Sequence, residues 1–543
     1  MSVLDEIVKA YDIRGTVPDQ LDADIAHALG GAFARFCGTD RIVVARDMRK
    51  SGEELVVAFA RGVMEHGVDV VDLGLASTDL LYYASGLLDS PGAMFTASHN
   101  PAQYNGLKLC LSAARPVGID SGLAEIRDMA ATMLDGHGPP PAQSSGSYSQ
   151  RDVMSNFVDH VLSFVDVASI RPLRIVADTA NGMGGLVVPA VFERLPMIDL
   201  EVMYGELDGT FPNHPADPLQ PANQRDLRAR VTTGSFDLGL AFDGDADRVF
   251  MVDELGKGLS GSTTTALLAA TVLRTTPGAT ILHNLICSRA VPETIREHGG
   301  VPIRTKVGHS YIKQIMADTG AMFGGEHSAH YYFARNYRAD SGLIASMLMI
   351  DELSRTGQDL SVLRKPFERY AASGEINTQV DDLQVVIERV SSRYAGMDQD
   401  RLDGLTVDAG SWWFNLRGSN TEPLLRLNLE AADRDECDNR VAELLVLITQ
   451  SGPDGHANRS LRRTRMSLNT ALLAILACPE DKGPLYYIES EQVLYNPRLQ
   501  RTYAVRDDIP VMLIEEATTL TAEQDARLKS VVTDQSIDPT FTA

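Results

Sequence analysis

Short runs of β-branched and other apolar residues alternate with stretches that place apolar side chains three and four apart, and they do so over most of the chain. Residues 41–45 form such a run, 52–66 carry helical spacing, and 68–73 are strand-like again. The rhythm returns at 173–177, 238–242 and 279–282. Strands alternating with amphipathic helices predict α/β units with largely parallel sheets. Three blocks follow this pattern, residues 1–148, 149–250 and 251–372, although no literal sequence repeat links them. A Gly/Pro/Ser-rich stretch at 136–147 separates the first two. From 373 to 452 the elements become fewer and longer, which predicts a smaller α+β domain. Residues 453–465 read as a linker, 466–520 as a small β-rich module and 521–543 as a tail.

Composition narrows the function classes. At ~150 residues per domain, 543 residues suggest roughly three to five domains. Lys and Arg number 49 against 73 Asp and Glu, a net charge of −24. So acidic a chain is not expected to bind nucleic acid, which requires a basic face. A locally basic pocket for an anionic substrate remains compatible with it. The five scattered cysteines are never spaced C-x-x-C, which suits a reducing compartment and gives no zinc framework. The N-terminal residues lack a signal pattern, and the apolar run at 471–478 is far short of the ~20 residues that span a bilayer. A cytoplasmic protein without a membrane partner is expected.

The chemistry concentrates first in Asp243-Gly244-Asp245-Ala246-Asp247-Arg248. Alternation in an extended backbone would throw the three carboxylates to one side, where oxygen ligands suit Mg²⁺ or Ca²⁺. A calcium loop fails because Arg248 stands where that loop needs glycine, and 249–252 read as a buried strand. A magnesium site at a strand tip, with Arg248 ready for a phosphate, is the sharper reading; an acidic surface turn is the plainer one. The second concentration is Thr96-Ala97-Ser98-His99-Asn100-Pro101, with Lys108 shortly after. Ser98 in a turn after the strand at 92–95 is exposed enough to attack or to carry a group. Alone it would pass for a helix cap or turn residue. The G-x-S-x-G elbow of serine esterases is absent.

Taken together, these two motifs resemble the α-D-phosphohexomutase family, above all its phosphomannomutase/phosphoglucomutase branch. Further matching pieces follow in the family's order: Lys9 to Gly15, Arg46 to Ser51, Val307-Gly308-His309, Gly324 to His330, and Arg417 to Pro423. The resemblance covers about residues 5–450. It implies four domains around a central cleft and a phosphorylated Ser98 as the working form. It further implies that Asp243, Asp245 and Asp247 hold Mg²⁺ with a Ser98-borne oxygen, and that a hexose 1,6-bisphosphate is the intermediate and activator. Ser98, His99, Lys108, Arg248 and His309 are the implied catalytic residues. Lys108 would need a lowered pKa to act as a base, whereas histidine titrates near neutrality. Glu326 and Ser328, two apart on an extended loop, would grip adjacent sugar hydroxyls. Tyr11, Arg14 and His330 would line the same pocket, and Arg417, Ser419, Asn420 and Thr421 would take the non-reacting phosphate.

The implied reaction is a phosphomannomutase's, with possible turnover of glucose phosphates. The alternatives are a phosphoglucomutase, a phosphoglucosamine mutase, and, from another class, a non-catalytic sugar-phosphate sensor. A metal-dependent phosphatase would need a D-x-D-x-T nucleophile that is absent. One departure stands out: Ile286 occupies the place of an expected substrate-contacting lysine, and Arg289 is the candidate to replace it. The stretches 476–479 and 503–512 resemble small, often zinc-binding proteins related to the activator subunit of tRNA methyltransferases. Only Cys478 remains there, with Asp481, Asn496 and Leu499 where other cysteines would stand, so zinc is not expected. That module is read either as an interaction piece for an unknown protein or as a structural appendage.

Overall fold

The computed structural model describes residues 2–380, 382–418, 424–449, 476–481, 483–506, 509–510, 517–534, 537 and 539–540. The chain divides into two units, Met1–Ser451 and Gly452–Ala543.

Within the first unit, three sheets repeat one strand order. In the first, Asp69–Leu75 lies parallel to Arg41–Arg46, which is parallel to Gly92–Phe95, and Tyr104–Leu111 closes the row antiparallel. Ile13–Thr16 and Tyr148–Gln150 extend this sheet at its two edges. The second sheet runs Ile198–Met203, Leu173–Asp178, Leu238–Phe242, Val249–Asp253, again with an antiparallel last strand. The third runs Val301–Thr305, Thr280–Asn284, Phe323–Gly325, Tyr331–Phe333 on the same plan. The similarity expected from the rhythm of the sequence is thus a shared topology. Helices cover the sheets, so strands such as Leu238–Phe242 and Val249–Asp253 are buried along their whole length. Serines open three of these helices: Ser77, Ser260 and Ser341 each accept a hydrogen bond from the third backbone N–H beyond.

This shared plan has one consequence for function. Every antiparallel return begins at the C-terminal end of a parallel strand, where open α/β sheets place their ligands. The three returning loops are residues 96–103, 243–248 and 326–330, the three richest motifs of the sequence. A continuous apolar core ties the blocks together, running through Leu81 and Met94, Val176 and Val187, and Leu268 and Leu343.

The fourth domain is α+β, as the longer elements predict. Five antiparallel strands run in the order Ala371–Gln379, Leu424–Ala431, Trp412–Gly418, Leu405–Asp408, Asp398–Asp400. Helices Leu383–Arg393 and Arg434–Thr449 pack on them around a separate core that includes Phe414, Leu416 and Leu427.

The second unit holds an antiparallel sheet of Tyr486–Ile488, Val493–Asn496 and Arg501–Arg506. The stretch read as a tail is corrected here, for Ala522–Asp534 is a helix. Leu528, Val531 and Val532 stand three and four apart and pack with Ile488 and Tyr495. Arg527 pairs with Glu491 at 2.6 Å. The expected linker, 453–465, lies outside the described residues.

The described residues of the module do not fit a zinc ion. Cys478 is buried, with Sγ 3.3 Å from the Tyr503 hydroxyl. The Asp481 carboxylate accepts from Arg498 Nε at 2.8 Å, Asn496 Nδ2 at 3.2 Å and the Gly483 N–H at 3.1 Å. Arg498 above all holds Asp481 well below the ordinary carboxylate range. One thiol and a neutralised carboxylate fall short of four coordinating groups.

Candidate active site

Ser98 sits on the first returning loop with φ of +48°, a left-handed conformation uncommon in residues other than glycine. Such a backbone costs about 1–3 kcal/mol and persists only where the surroundings determine it. Three contacts do so. The Thr96 hydroxyl accepts the Ser98 N–H at 2.8 Å, and Arg49 Nη2 donates to the Ser98 carbonyl at 2.9 Å. Gly244 of the second block presses against the same carbonyl: a Cβ there would lie 2.4 Å from the Ser98 oxygen.

The Ser98 side chain faces the second returning loop and donates to Asp243 Oδ2 at 2.9 Å. Arg248 Nε donates to that same oxygen at 2.8 Å, and its Nη2 lies 3.3 Å from Ser98 Oγ. His99 Nδ1 lies 3.2 Å from Ser98 Oγ and accepts from Arg248. With that nitrogen accepting, His99 orients Arg248 and does not itself donate to the serine. Burial, then Arg248, keep His99 well below its ordinary pKa, hence neutral.

Asp243, Asp245 and Asp247 are fully buried and converge, with one oxygen from each within 4.8 Å of the others. The route differs from the expected one. The loop is not extended: Ala246 takes φ of +62° and its N–H turns back to the Asp243 carbonyl. A tight turn, and not strand alternation, gathers the carboxylates. Asp245 Oδ1 and Asp247 Oδ1 are buried without a hydrogen-bond partner. Three convergent carboxylates, two of them with an orphaned acceptor, fit a hard divalent cation.

Lys108 departs from the expectation for a base. Its Nζ lies 2.7 Å from Asp245 Oδ2 and 2.6 Å from Asp247 Oδ2. Burial alone would favour the neutral amine, but the two carboxylates outweigh it and raise Lys108 above its ordinary value. Thr78, capped onto the first block, adds a hydroxyl to Asp245 Oδ2 at 2.5 Å.

The third block brings two histidines with opposite tendencies. His309 has both ring nitrogens buried without a hydrogen-bond partner, and its ring meets Tyr11 edge-on at 5.1 Å. Burial, then Lys313, push it well below its ordinary pKa. His330 Nδ1 bonds Asp340 at 2.8 Å and lies 3.9 Å from Asp247. Burial opposes its charge, but Asp247 and Asp340 prevail and raise it. Lys313 Nζ, 2.9 Å from the other Asp340 oxygen, keeps that carboxylate ionised.

Three expectations need revision. The 326–330 loop is a tight turn, with Ala329 at φ of +65°, in place of an extended segment. The Glu326 carboxylate points inward, accepting from Asn284 Nδ2 at 3.1 Å, the Gly308 N–H at 3.2 Å and the Tyr332 hydroxyl at 2.7 Å. Ser328 is half-buried and carries no such set. Arg289, expected to replace the missing lysine, is engaged with the fourth domain through Asp408 at 2.5 Å and the Gly410 carbonyl. Ile286 lines a cleft of about 540 Å³ with Ser262, Ser288 and His327.

Arg14 pairs with Asp12 at 2.7 Å and reaches Asn100 of the Ser98 loop. Arg417 is buried on the strand Trp412–Gly418 and paired with Glu375 at 3.2 Å. Ser419, Asn420 and Thr421 lie outside the described residues. Arg49, Thr78, Lys313 and Asp340 received no role from the sequence. Arg49 alone had a signal, since it belongs to a quoted motif.

Comparison with known proteins bears on the family and the fold. Models of phosphoglucomutase/phosphomannomutase alpha/beta/alpha domains I, II and III match residues 5–133, 155–256 and 260–370, and the C-terminal domain of that family matches 375–446. A Trm112p-like protein model matches 469–508. A protein described as phosphohexose mutases from Xanthomonas campestris pv. campestris is 38% identical over 445 residues, 81% of this chain and 98% of its own length. A phosphomannomutase from Salmonella montevideo is 38% identical over 450 residues with the same coverage. Among solved structures, a phosphoglucomutase/phosphomannomutase family protein from Burkholderia thailandensis superposes with a TM-score of 0.74 at 32% identity, covering 84% of this chain and 99% of that one.

Proposed function

The chain belongs to the phosphoglucomutase/phosphomannomutase family, and on that footing we propose that it interconverts mannose 6-phosphate and mannose 1-phosphate through phosphorylated Ser98 and a hexose 1,6-bisphosphate, with Mg²⁺ as cofactor. Its similarity to relatives called phosphomannomutase, at 36–38% identity, supports the sugar assignment. The observation that carries the chemistry is the juxtaposition of Ser98 Oγ, 2.9 Å from Asp243, with three convergent carboxylates from another block.

Asp243, Asp245 and Asp247, with the phosphoryl group on Ser98, would hold the metal. When bound, Mg²⁺ supplies charge neutralisation to a transferring phosphoryl group. In the transfer, a sugar hydroxyl oxygen bonds to phosphorus as the phosphorus–Ser98 Oγ bond breaks. The hydroxyl proton goes to a His309 ring nitrogen, which burial keeps neutral and free of partners. Charge developing on the Ser98 oxygen is met by Arg248, held in place by Asp243 and His99. Lys108 stays protonated and contributes charge, and His330, raised by Asp247 and Asp340, adds positive charge beside the aspartate cluster. Once the bisphosphate turns round, its other phosphate returns to Ser98 by the reverse step. Tyr11 and Arg14 serve the sugar, Arg417, Ser419, Asn420 and Thr421 the non-reacting phosphate, and Glu326, turned inward onto Asn284, Gly308 and Tyr332, fixes the third returning loop.

Ser98→Ala tests this directly. Turnover of mannose 1-phosphate with hexose 1,6-bisphosphate present is expected to fall at least about a thousandfold, as when a nucleophile is removed. Full turnover by the variant would end the proposal. Parallel assays with glucose 1-phosphate and glucosamine 1-phosphate rank the sugars.

A further inference from the structure

Arg49 is among the most deeply buried large side chains of the molecule, 1% exposed, yet it touches none of the groups that exchange the phosphoryl unit. A guanidinium has five N–H donors in a rigid fork. Here all five are used. Nε donates to Asp47 Oδ2 at 3.2 Å. Nη1 donates to the carbonyls of Pro101 at 2.8 Å and Tyr104 at 2.9 Å. Nη2 donates to the carbonyls of Ser98 at 2.9 Å and Asn100 at 2.6 Å. Four of the five acceptors are therefore main-chain oxygens, three on the loop that carries Ser98 and the fourth at Tyr104, where the next strand begins.

The clamp is itself fixed. Asp47 Oδ1 accepts the Arg49 N–H at 2.9 Å, so the carboxylate grips the residue at both ends. The guanidinium stacks on Phe211 of the second block, 5.2 Å from the ring centre. Gly209, in the same loop as Phe211, closes on the Arg49 backbone, where a Cβ would lie 2.8 Å from the Arg49 Cα. Besides its side-chain bonds to Ser98 and His99, the second block thus braces the backbone of the Ser98 loop through Gly244 directly and through Phe211 by way of Arg49.

We propose that Arg49 is a positioning residue for the phosphoryl-transfer step: its five-donor clamp holds Ser98 in its left-handed turn, at the distance from the acidic loop that transfer requires. The proposal rests on Ser98 being the phosphoryl carrier. A side chain that acts only through the loop alters how well the serine is placed, not how tightly the sugar phosphate binds. Misplacement of about 1 Å can cost on the order of a hundredfold in rate.

The experiment compares wild type, Arg49→Lys, Phe211→Ala and Ser98→Ala, as full-length protein. It measures kcat and KM for mannose 1-phosphate, and the rate at which hexose 1,6-bisphosphate adds phosphate to the protein, by intact mass. Lysine keeps the charge and can reach Asp47 but cannot supply the fork. Arg49→Lys is expected to lose at least tenfold in kcat and in phosphorylation rate, with KM within twofold of wild type. Phe211→Ala, which removes only the stack, is expected to lose about threefold or more in kcat at unchanged KM. If Arg49→Lys does not fold, the Phe211→Ala result decides alone. Unchanged kcat in a folded Arg49→Lys, or in Phe211→Ala when the lysine variant does not fold, overturns the proposal. So does a rise in KM that accounts for the whole loss. Should Ser98→Ala itself turn over fully, the carrier assignment falls first; an inactive Ser98→Ala beside a normal Arg49→Lys removes the Arg49 proposal alone.

Discussion

Lys108 places an ammonium between Asp245 and Asp247 where water barely reaches, and the two carboxylates have come to depend on it. Removing one partner of a buried ion pair costs about 3–5 kcal/mol, because the remaining charge is stranded. A divalent cation offered to the same oxygens replaces part of that loss, and binding to the folded state alone raises stability. Lys108→Met should therefore melt well below wild type in chelator and recover on addition of Mg²⁺. The gap between chelated and Mg²⁺-loaded melting temperatures is expected to be wider than in wild type. A gap no wider would count against a cation cage at these aspartates. At this scale the sequence displayed residue types well and their surroundings poorly. The three aspartates and Ser98 were legible because their spacing is local. Lys108's protonation was not, since it depends on partners 137 and 139 residues away. Arg49 was less legible still, because its acceptors are main-chain oxygens that any residue could supply.

Among elements, the recurring device is the antiparallel return after a parallel strand, used three times with a different chemistry on each loop. Strand positions were legible because fully buried parallel strands write themselves as apolar runs; Leu238–Phe242 is one such run. The conformations of the returning loops were not, since Ser98, Ala246 and Ala329 take left-handed backbones without a glycine to announce them. Helix Ala522–Asp534 was passed over because only three apolar residues mark its inner face. Gly244 offers a test of loop-to-loop fit. An alanine Cβ would lie 2.4 Å from the Ser98 carbonyl oxygen and 3.5 Å from Ala216 Cβ, so one of the two loops must move. Gly244→Ala is expected to fold, with a loss of about 1–3 kcal/mol from overpacking. Its kcat should drop on the order of a hundredfold through the displaced serine. Near-wild-type turnover would mean that the two loops tolerate looser contact than the geometry indicates.

At the scale of the molecule, the motifs that prompted the mutase reading all fall within Met1–Ser451, from Tyr11 on the first block to Arg417 on the fourth domain. The apolar clusters respect the same division. Among the described residues, those of the first unit contain none beyond Ile448, and those of the second begin at Leu476. A polypeptide whose cores close upon themselves has what it needs to fold without the remainder. The module, in turn, has its own sheet, its own helix and an Asp481–Arg498 pair. Two independent cores predict two independent unfolding events and a catalytic unit indifferent to its neighbour. A protein ending at Ser451 is expected to keep kcat and KM within about twofold of the full chain, since Met1–Ser451 contains every residue assigned to the reaction. Its calorimetric trace should retain the main transition of the full-length protein and lose a smaller one. Loss of turnover in a truncated protein that melts normally would show that the module acts on catalysis, and would move its role from appendage to regulator.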